Sequence, residues 1–477
     1  MWRISHARQS RESVRLGWSI GGLTKPARQL RQLDMQFAPH RFTLKKLSLF
    51  TFSVIWSLLG ITACGSVRFY QTSPMADQTR QQIVKLKATL REASDDPAYY
   101  DTVISRDGRL YHPTLSTPYW VIPTLGFPKS VTTQRSNNNV TICIYQTRLY
   151  MAFRTGPHHF ASRKTSLFVI SSADLVNWQK ELHIQEGKDI REPHLIVLGD
   201  TLHLYYFEAG TSPWAFEPTS VHHYVRVDTI WQRRGTCLSR GEVPWDLKKR
   251  FGRLFLTSYR GAHYQLWGDS KVEVCFRASK DGYVFEPVGD TAGVYVGGAS
   301  ECAFEFDADS TLWIVTRLED GDTSGFGSHV GWAAPSTWHR WHLSPPDPHC
   351  YMSPKLLRHR DQIYLIARRQ LGSKPFGWAN RKLPLWSQRL LNWVSFSLTP
   401  KTTSLYRLNK TEKRIEWITD LPGNGDTAFP SIQRLDEDTF LIANYSSPLG
   451  RPRSWLRGQL GRTGIYLILL TFRPSLE

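Results

Sequence analysis

The chain has 477 residues, 13% aromatics, only five Met and a formal charge of +19. That length allows two or three domains or one repeat architecture, and the aromatic-rich, Met-poor mix favours a β-rich body over a helical one. The charge does not mark a nucleic-acid binder: residues 1–46 hold ten Lys/Arg against Glu12 and Asp34, and the remaining +11 is spread along the chain without a Lys/Arg block. A solvated basic surface, or a general preference for acidic sugars or lipid surfaces, accounts for it.

In chain order, the first element is "KKLSLFTFSVIWSLLGITACGS". Two lysines precede an uncharged run, Leu47 to Ile61, which is short for a membrane span and has the order of a secretory signal. The ending Ile61-Thr62-Ala63-Cys64 resembles a bacterial lipoprotein signal, which implies that Cys64 becomes the lipid-carrying N-terminus. Residues 1–34 read as an extension ahead of a start at Met35. Gly65 and Ser66 carry no Asp, which in that pattern implies the outer membrane of a bacterial cell envelope. Residues 1–64 are thus a basic extension plus signal, 65–98 a linker with a helix, and 99–477 the body. Beyond Cys64 five cysteines remain. With no CxxC they form neither a zinc site nor a full disulfide set, and Cys237 with Cys275 is the one bridge considered. No metal or cofactor is expected.

Ile83, Leu86 and Leu90 stand at helical spacing and predict a short helix, acting as a stalk or packing on the body. "STPYWVIPTLGFP" is broken by proline and closes the leader. From about residue 138 short β-rich runs take over. One phrase recurs: "RLYMAFRTG", "TLHLYYFEAG", "RLFLTSYRGA", "TLWIVTRLED", "QIYLIARRQLG" and "TFLIANYSSP". Its strands begin near Leu149, Leu202, Leu254, Leu312, Ile363 and Phe440, at spacings of 53, 52, 58, 51 and 77 residues. Six units of about four alternating strands predict an all-β, six-bladed β-propeller, with a five-bladed propeller as the rival. The long fifth interval holds an insertion, "SKPFGWANRKLPLW". The last blade lacks a strand, which residues 103–125 are expected to supply.

In "ECAFEFDADSTLWIVTRLED" the turn centres near Asp309, so antiparallel pairing sets Glu301 beside Arg317 at one mouth of a blade. The equivalent position in all six phrases gives Arg154, Phe207, Tyr259, Arg317, Arg368 and Tyr445, a ring converging on the central funnel. Arg offers a carboxylate a planar fork. In "DIREPHLIVLGD" the turn at Gly199-Asp200 sets Arg191 opposite Glu208 and Glu192 opposite Phe207. Asp426 in "GNGDTAFPSI" leads its inner strand much as Glu301 does. Glu192, Glu301 and Asp426 are therefore the candidate catalytic carboxylates, since glycoside hydrolysis needs two facing one glycosidic oxygen. Arg154, Arg191, Tyr259, Arg317, Arg368 and Tyr445 are the candidate substrate binders. Asp174 in "SSADLVNW" and Asp281 in "SKDGYVFEPV" read as peripheral turn residues.

The Ser-x-Asp turns with a following aromatic, the repeated blades, a Glu with an Arg sixteen residues on, and "DTAFPSI" together resemble the sialidase-like propellers over roughly residues 135–472. "SADLVNW" is also similar to a turn of five-bladed arabinanase- and fructosidase-type glycosidases. The sialidase likeness implies six blades, cleavage of terminal sialic acids, a Tyr nucleophile activated by a Glu, an Asp acid/base and three Arg holding the substrate carboxylate. Glu301 and Arg317 match that Glu and second Arg, and Arg368 or Arg389 the third. The chain departs from the pattern elsewhere. Phe429 stands at the Tyr, "RTGPHHFASRKTS" supplies His158 and His159 where the Asp belongs, and Arg135 is a poor substitute for the first Arg. The expectation is a monomeric, exported, lipid-anchored propeller acting as a glycoside hydrolase on a polar or anionic glycan. The alternative is a glycan-binding propeller that has lost the catalytic Tyr and Asp.

Overall fold

The computed structural model describes residues 74–90, 111–124, 126–212 and 216–475. The signal segment, Cys64 and most of the linker lie outside the described residues. Among the described residues six antiparallel sheets of four or five strands follow one another along the chain, with a separate two-stranded hairpin in the fourth, so the propeller has six blades and the five-bladed alternative is excluded. Their inner strands are Ser136–Tyr145, Ile190–Leu198, Val243–Arg250, Cys302–Phe306, Met352–His359 and Ser431–Arg434.

The recurring phrase is the second strand of each blade. It is buried at nearly every position in Arg148–Gly156, Thr201–Glu208, Leu312–Thr316 and Thr439–Ser446. The expected alternation is replaced by continuous apolar runs because neighbouring blades cover both faces. Outer strands such as Ile230–Thr236 are largely solvated.

The ring closes as the count of strands requires. The last strand, Gly464–Pro474, pairs with Tyr111–Leu115 and with Tyr119–Ile122, so chain from ahead of blade 1 completes blade 6. Helix α1, Pro74–Leu90, packs on the body: Ala76 and Ile83 are buried, and Thr79 Oγ1 donates to Thr117 O at 3.1 Å. Helix α2, Leu385–Leu398, lies in the long insertion of blade 5, and α3, Trp455–Gln459, in a loop of blade 6. No described helix is long and apolar enough to cross a membrane.

The two Asp turns are peripheral, as read. Asp174 Oδ1 accepts the N–H groups of Val176 and Asn177 at 2.9 and 2.8 Å, with Trp178 buried beneath. Asp281 Oδ1 accepts those of Tyr283 and Val284 at 2.8 and 3.1 Å, which holds its carboxyl below the usual range. Cys237 and Cys275 are free thiols, as are the other three described cysteines, so the considered bridge is not formed.

Inner strands carry a bulge near the axis. The register slips between Asn138 and Thr141, Arg191 and His194, Pro244 and Asp246, and Met352 and Lys355. Asn139, Glu192 and Ser353 sit in these bulges at φ of +47°, +51° and +51°. Such conformations cost non-glycine residues energy and re-aim their side chains. The bulge also corrects one expectation: Arg191 pairs with Phe207, Ile190 pairs with Glu208, and Glu192 has no partner across the ladder.

Candidate functional site

Glu301 and Arg317 stand side by side where blade 4 meets the axis, with Arg317 N–H donating to Glu301 O at 2.8 Å. Arg317 Nη1 pairs with Glu301, and Nη2 pairs with Glu319, which a short hairpin (Leu318–Asp322 with Gly325–Gly327) brings over the blade. Arg317 Nη2 also donates to the Tyr264 hydroxyl at 3.1 Å. The second Glu301 oxygen accepts Ser353 N–H at 2.8 Å, from the bulge of blade 5. Glu301 and Arg317 are each 6% exposed, so this is a buried carboxylate–guanidinium–carboxylate triad and not a surface pair.

Glu192 enters the same region from blade 2. It is 7% exposed, and its Oε2 has no hydrogen-bond partner among the described residues. Burial first, and then the charge of Glu301, push its carboxyl well above the usual carboxylate range, against Arg191, Lys355 and Arg317. Tyr259 shares the environment: burial, then Glu192 and Glu301, raise its phenol. The fold thus brings Glu192, Tyr259, Glu301 and Arg317 together from blades 2, 3 and 4.

Asp426, Tyr445, Arg368, Arg154 and Arg191 form the adjoining half. Asp426 is fully buried, lies 2.7 Å from His159 Nδ1, and accepts the Tyr445 hydroxyl at 3.1 Å. Against the effect of burial, His159 and Arg368 hold Asp426 below the usual range. Tyr445 is fully buried, and burial and Asp426 push its phenol upward, which opposes a nucleophilic role. Arg368 Nε donates to Thr427 O at 2.7 Å. Arg154 is enclosed by Asp189, Asn138, Thr165 and the carbonyls of His158 and Phe160, so its fork is directed at the protein. Arg191 pairs with the same Asp189 and donates to His159 O at 2.6 Å.

Several members of this network were not singled out from the sequence: His159, Asp189, Tyr264, Glu319 and Lys355. His159 stands in a stretch of blade 1 that has no carboxylate of its own, and its carboxylate, Asp426, comes from a different blade. Phe207, in the ring column, is apolar core. Arg389 is on α2, donating to the carbonyls of Asp320, Leu266 and Gly268, and Arg135 is exposed.

Phe429, at the expected Tyr position, has φ +80° and meets Trp245 edge-on with ring centroids 4.9 Å apart. It also lines an axial cavity of about 170 Å³. The cavity wall includes Lys248 and Lys355, each 3.1 Å from Asp246, and Glu305, 2.8 Å from Arg250. Glu192, Glu301 and Asp426 do not line it. The carboxylates and guanidinium groups meet as a packed network, not as the wall of an open central cavity.

Helices α2 and α3 cover this network. Trp393 Nε1 donates to Glu319 O at 3.2 Å, His159 N donates to Gln459 O at 3.0 Å, and the Trp455 ring lies 6.0 Å from the Arg368 guanidinium. Tyr264 lies between the network and solvent: the residue is 43% exposed while its hydroxyl meets Arg317.

Among the described residues, one cluster elsewhere has metal-ligand chemistry. Glu186, Glu208 and His222 hold donor atoms within 4.8 Å of one another. Lys188 sits 3.0 Å from Glu208, and Arg233 Nη2 lies 2.7 Å from His222 Nδ1. Protein cations and N–H donors already serve Glu208 and His222, Glu186 Oε2 has no hydrogen-bond partner among the described residues, and no metal is assigned there.

No protein-family model matches the sequence, and no curated protein matches it. Among solved structures, the chain is similar to a Dyadobacter fermentans protein of unknown function, at 13% identity and TM-score 0.48, over 72% of this chain and 98% of that one. It is similar to the phage phi92 endosialidase at 10% identity and TM-score 0.48, over 76% and 70% of the two chains. It is also similar to Trypanosoma rangeli sialidase at 10% identity and TM-score 0.47, over 70% and 55%. The number of blades follows from the six four- and five-stranded sheets of the described residues and not from these likenesses.

Proposed function

We propose that this propeller is a glycoside hydrolase in which Glu192 is the general acid and Glu301 the partner carboxylate. The observation that carries the reading is Glu192 itself. It is a buried acid on a strained bulge, with an unpartnered oxygen, its carboxyl pushed well above the usual carboxylate range beside a second carboxylate that is ion-paired. Two neighbouring carboxyl groups in unlike environments, one desolvated and one ion-paired, suit cleavage of a glycosidic bond: one gives a proton to the leaving oxygen, the other serves the anomeric carbon or its water. Arg317 and Ser353 N–H fix Glu301, while Tyr259 and Arg191 flank the pair. Asp426 with His159 and Tyr445 forms the adjoining half of the network, and Arg368 orients the sugar from there. Arg154 acts by positioning Asp189 and Arg191. Substrate reaches Arg317 by displacing Tyr264.

A second reading has its own support. Glu192, Glu301 and Asp426 are all at most 7% exposed, and Phe429 stands where the resemblance places a nucleophile. A glycan-binding propeller without turnover fits both facts. Screening the protein against aryl glycosides and against bacterial and host glycans separates the two. Cleavage is expected, with Glu301→Gln lowering it at least about a hundredfold. Cleavage untouched by Glu301→Gln removes the assignment, and binding without cleavage leaves the second reading.

We further propose export of a monomer to the bacterial cell envelope, anchored through a lipid on Cys64, on the strength of the Leu47–Ile61 run and the small residues before Cys64. Metabolic labelling with a fatty-acid probe is expected to mark the protein and not Cys64→Ala. Equal labelling of both rejects the anchor.

A further inference from the structure

The two segments that roof the carboxylate network have an unusual composition. Residues 371–400 contain Lys374, Arg381, Lys382 and Arg389, residues 447–463 contain Arg451, Arg453, Arg457 and Arg462, and neither contains an Asp or Glu. The two are one surface: Trp455 N donates to Thr399 O at 3.2 Å, and the Trp455 ring meets Phe396 at a tilt of 60° with centroids 5.4 Å apart. Only Arg389 of these cations points fully inward. Six of the others are exposed, Arg453 is half-buried, and none of the seven is in an ion pair among the described residues. Among the described residues the adjoining loop 263–270 brings Asp269, and the hairpin beneath α2 brings Glu319, Asp320 and Asp322, which are engaged by Arg317, His263 and Ser324 respectively. Beside this surface Trp386 of α2 and Trp267 stand open, 38% and 41% exposed, with ring centroids 4.9 Å apart.

Solvated cations on a structural surface are ordinarily interspersed with acids, so a roof bearing seven unpaired positive charges holds a potential that attracts an anion. Seven charges over two insertions exceed what one sugar carboxylate engages. An exposed indole pair offers flat apolar faces of the kind sugar rings lie on. Resting on the hydrolase reading above, we infer that the α2–α3 roof is a binding track for a glycan chain bearing repeated anionic groups, carboxylate or sulfate, which it delivers to the carboxylates beneath. The specificity lies in the chain and its charge spacing, beyond the residue undergoing cleavage.

The test measures binding of the whole protein to length-defined oligogalacturonates, to length-defined sulfated glycan oligomers and to neutral dextran. Two triple variants accompany it: Lys374→Gln/Arg381→Gln/Lys382→Gln and Arg451→Gln/Arg453→Gln/Arg457→Gln. Lys129→Gln/Lys180→Gln is the control. Affinity is expected to rise with chain length for at least one anionic series and to fall about tenfold or more on raising salt from about 50 to 200 mM. Each triple variant should weaken it about tenfold, and dextran should not compete. The series that binds tells carboxylate from sulfate. Length-independent binding, equal binding of dextran, indifference to both triple variants, or tighter binding of single-stranded DNA or of phosphatidylserine vesicles would overturn the proposal. Chain binding without cleavage removes the hydrolase reading and leaves the track, whereas cleavage of a short neutral glycoside with no chain binding does the reverse.

Discussion

Glu192→Gln should lose glycoside cleavage by at least about a hundredfold and yet be more stable than the wild type at pH 8. The sign follows from the raised carboxyl of Glu192. Below the unfolded value both states hold the proton, and the group contributes nothing to the pH dependence. As pH rises above it, the unfolded chain releases the proton while the folded chain keeps it, so stability falls by up to about 1.4 kcal/mol per pH unit until the folded value is reached. Glutamine keeps the shape and abolishes the titration. Thermal midpoints of the two proteins should converge near pH 4 and separate as pH rises above it, with the variant higher. A variant that is less stable at pH 8 would mean that Glu192 is ionised and paired, and the acid assignment would go with it. No purely structural acid predicts the opposed changes in activity and stability.

Which parts of this site could be seen in the sequence follows from how local each is. The blades were legible because the second strand of each is covered on both faces, so "TLHLYYFE" and "TFLIANYS" read as apolar runs at regular spacing. The Glu301–Arg317 pairing was legible because a tight hairpin near Asp309 fixes the register between two residues of one blade. Arg191 was misplaced by one residue because the bulge at Glu192 inserts a position that leaves no trace in an apolar pattern. That same bulge puts Glu192 into the site.

Contacts between blades were out of reach. His159 finds its carboxylate 267 residues away in Asp426, and Glu301 finds a backbone donor in Ser353 of the next blade. The positive charge escaped notice for a related reason. Neither 371–400 nor 447–463 is dense enough in Lys/Arg to stand out alone, and their common property, the absence of any acid, matters only once Trp455 is seen to join them. A charge that looks evenly spread along the chain becomes a patch when two insertions share a surface.

Arg317→Ala tests the energetic claim beneath the site. Arg317 holds Glu301 on one nitrogen and Glu319 on the other, all three at most 6% exposed, and its removal leaves two carboxylates facing each other in a dry environment. Breaking a buried pair from one side costs about 3–5 kcal/mol, because the remaining charge loses its counterion without regaining water. Denaturant unfolding at pH 7.5 should show a loss of that size, with cleavage absent. Replacing the whole triad, Arg317→Met with Glu301→Gln and Glu319→Gln, removes every charge and should recover most of the stability while remaining inactive. The two variants together separate electrostatics from packing. If Arg317→Ala unfolds at nearly the wild-type denaturant concentration, the three side chains are hydrated in solution and the site is open. If the triple replacement is as unstable as Arg317→Ala, the guanidinium serves by its shape, and the charge pairing that sets Glu301 against Glu192 is not what the fold is built to hold.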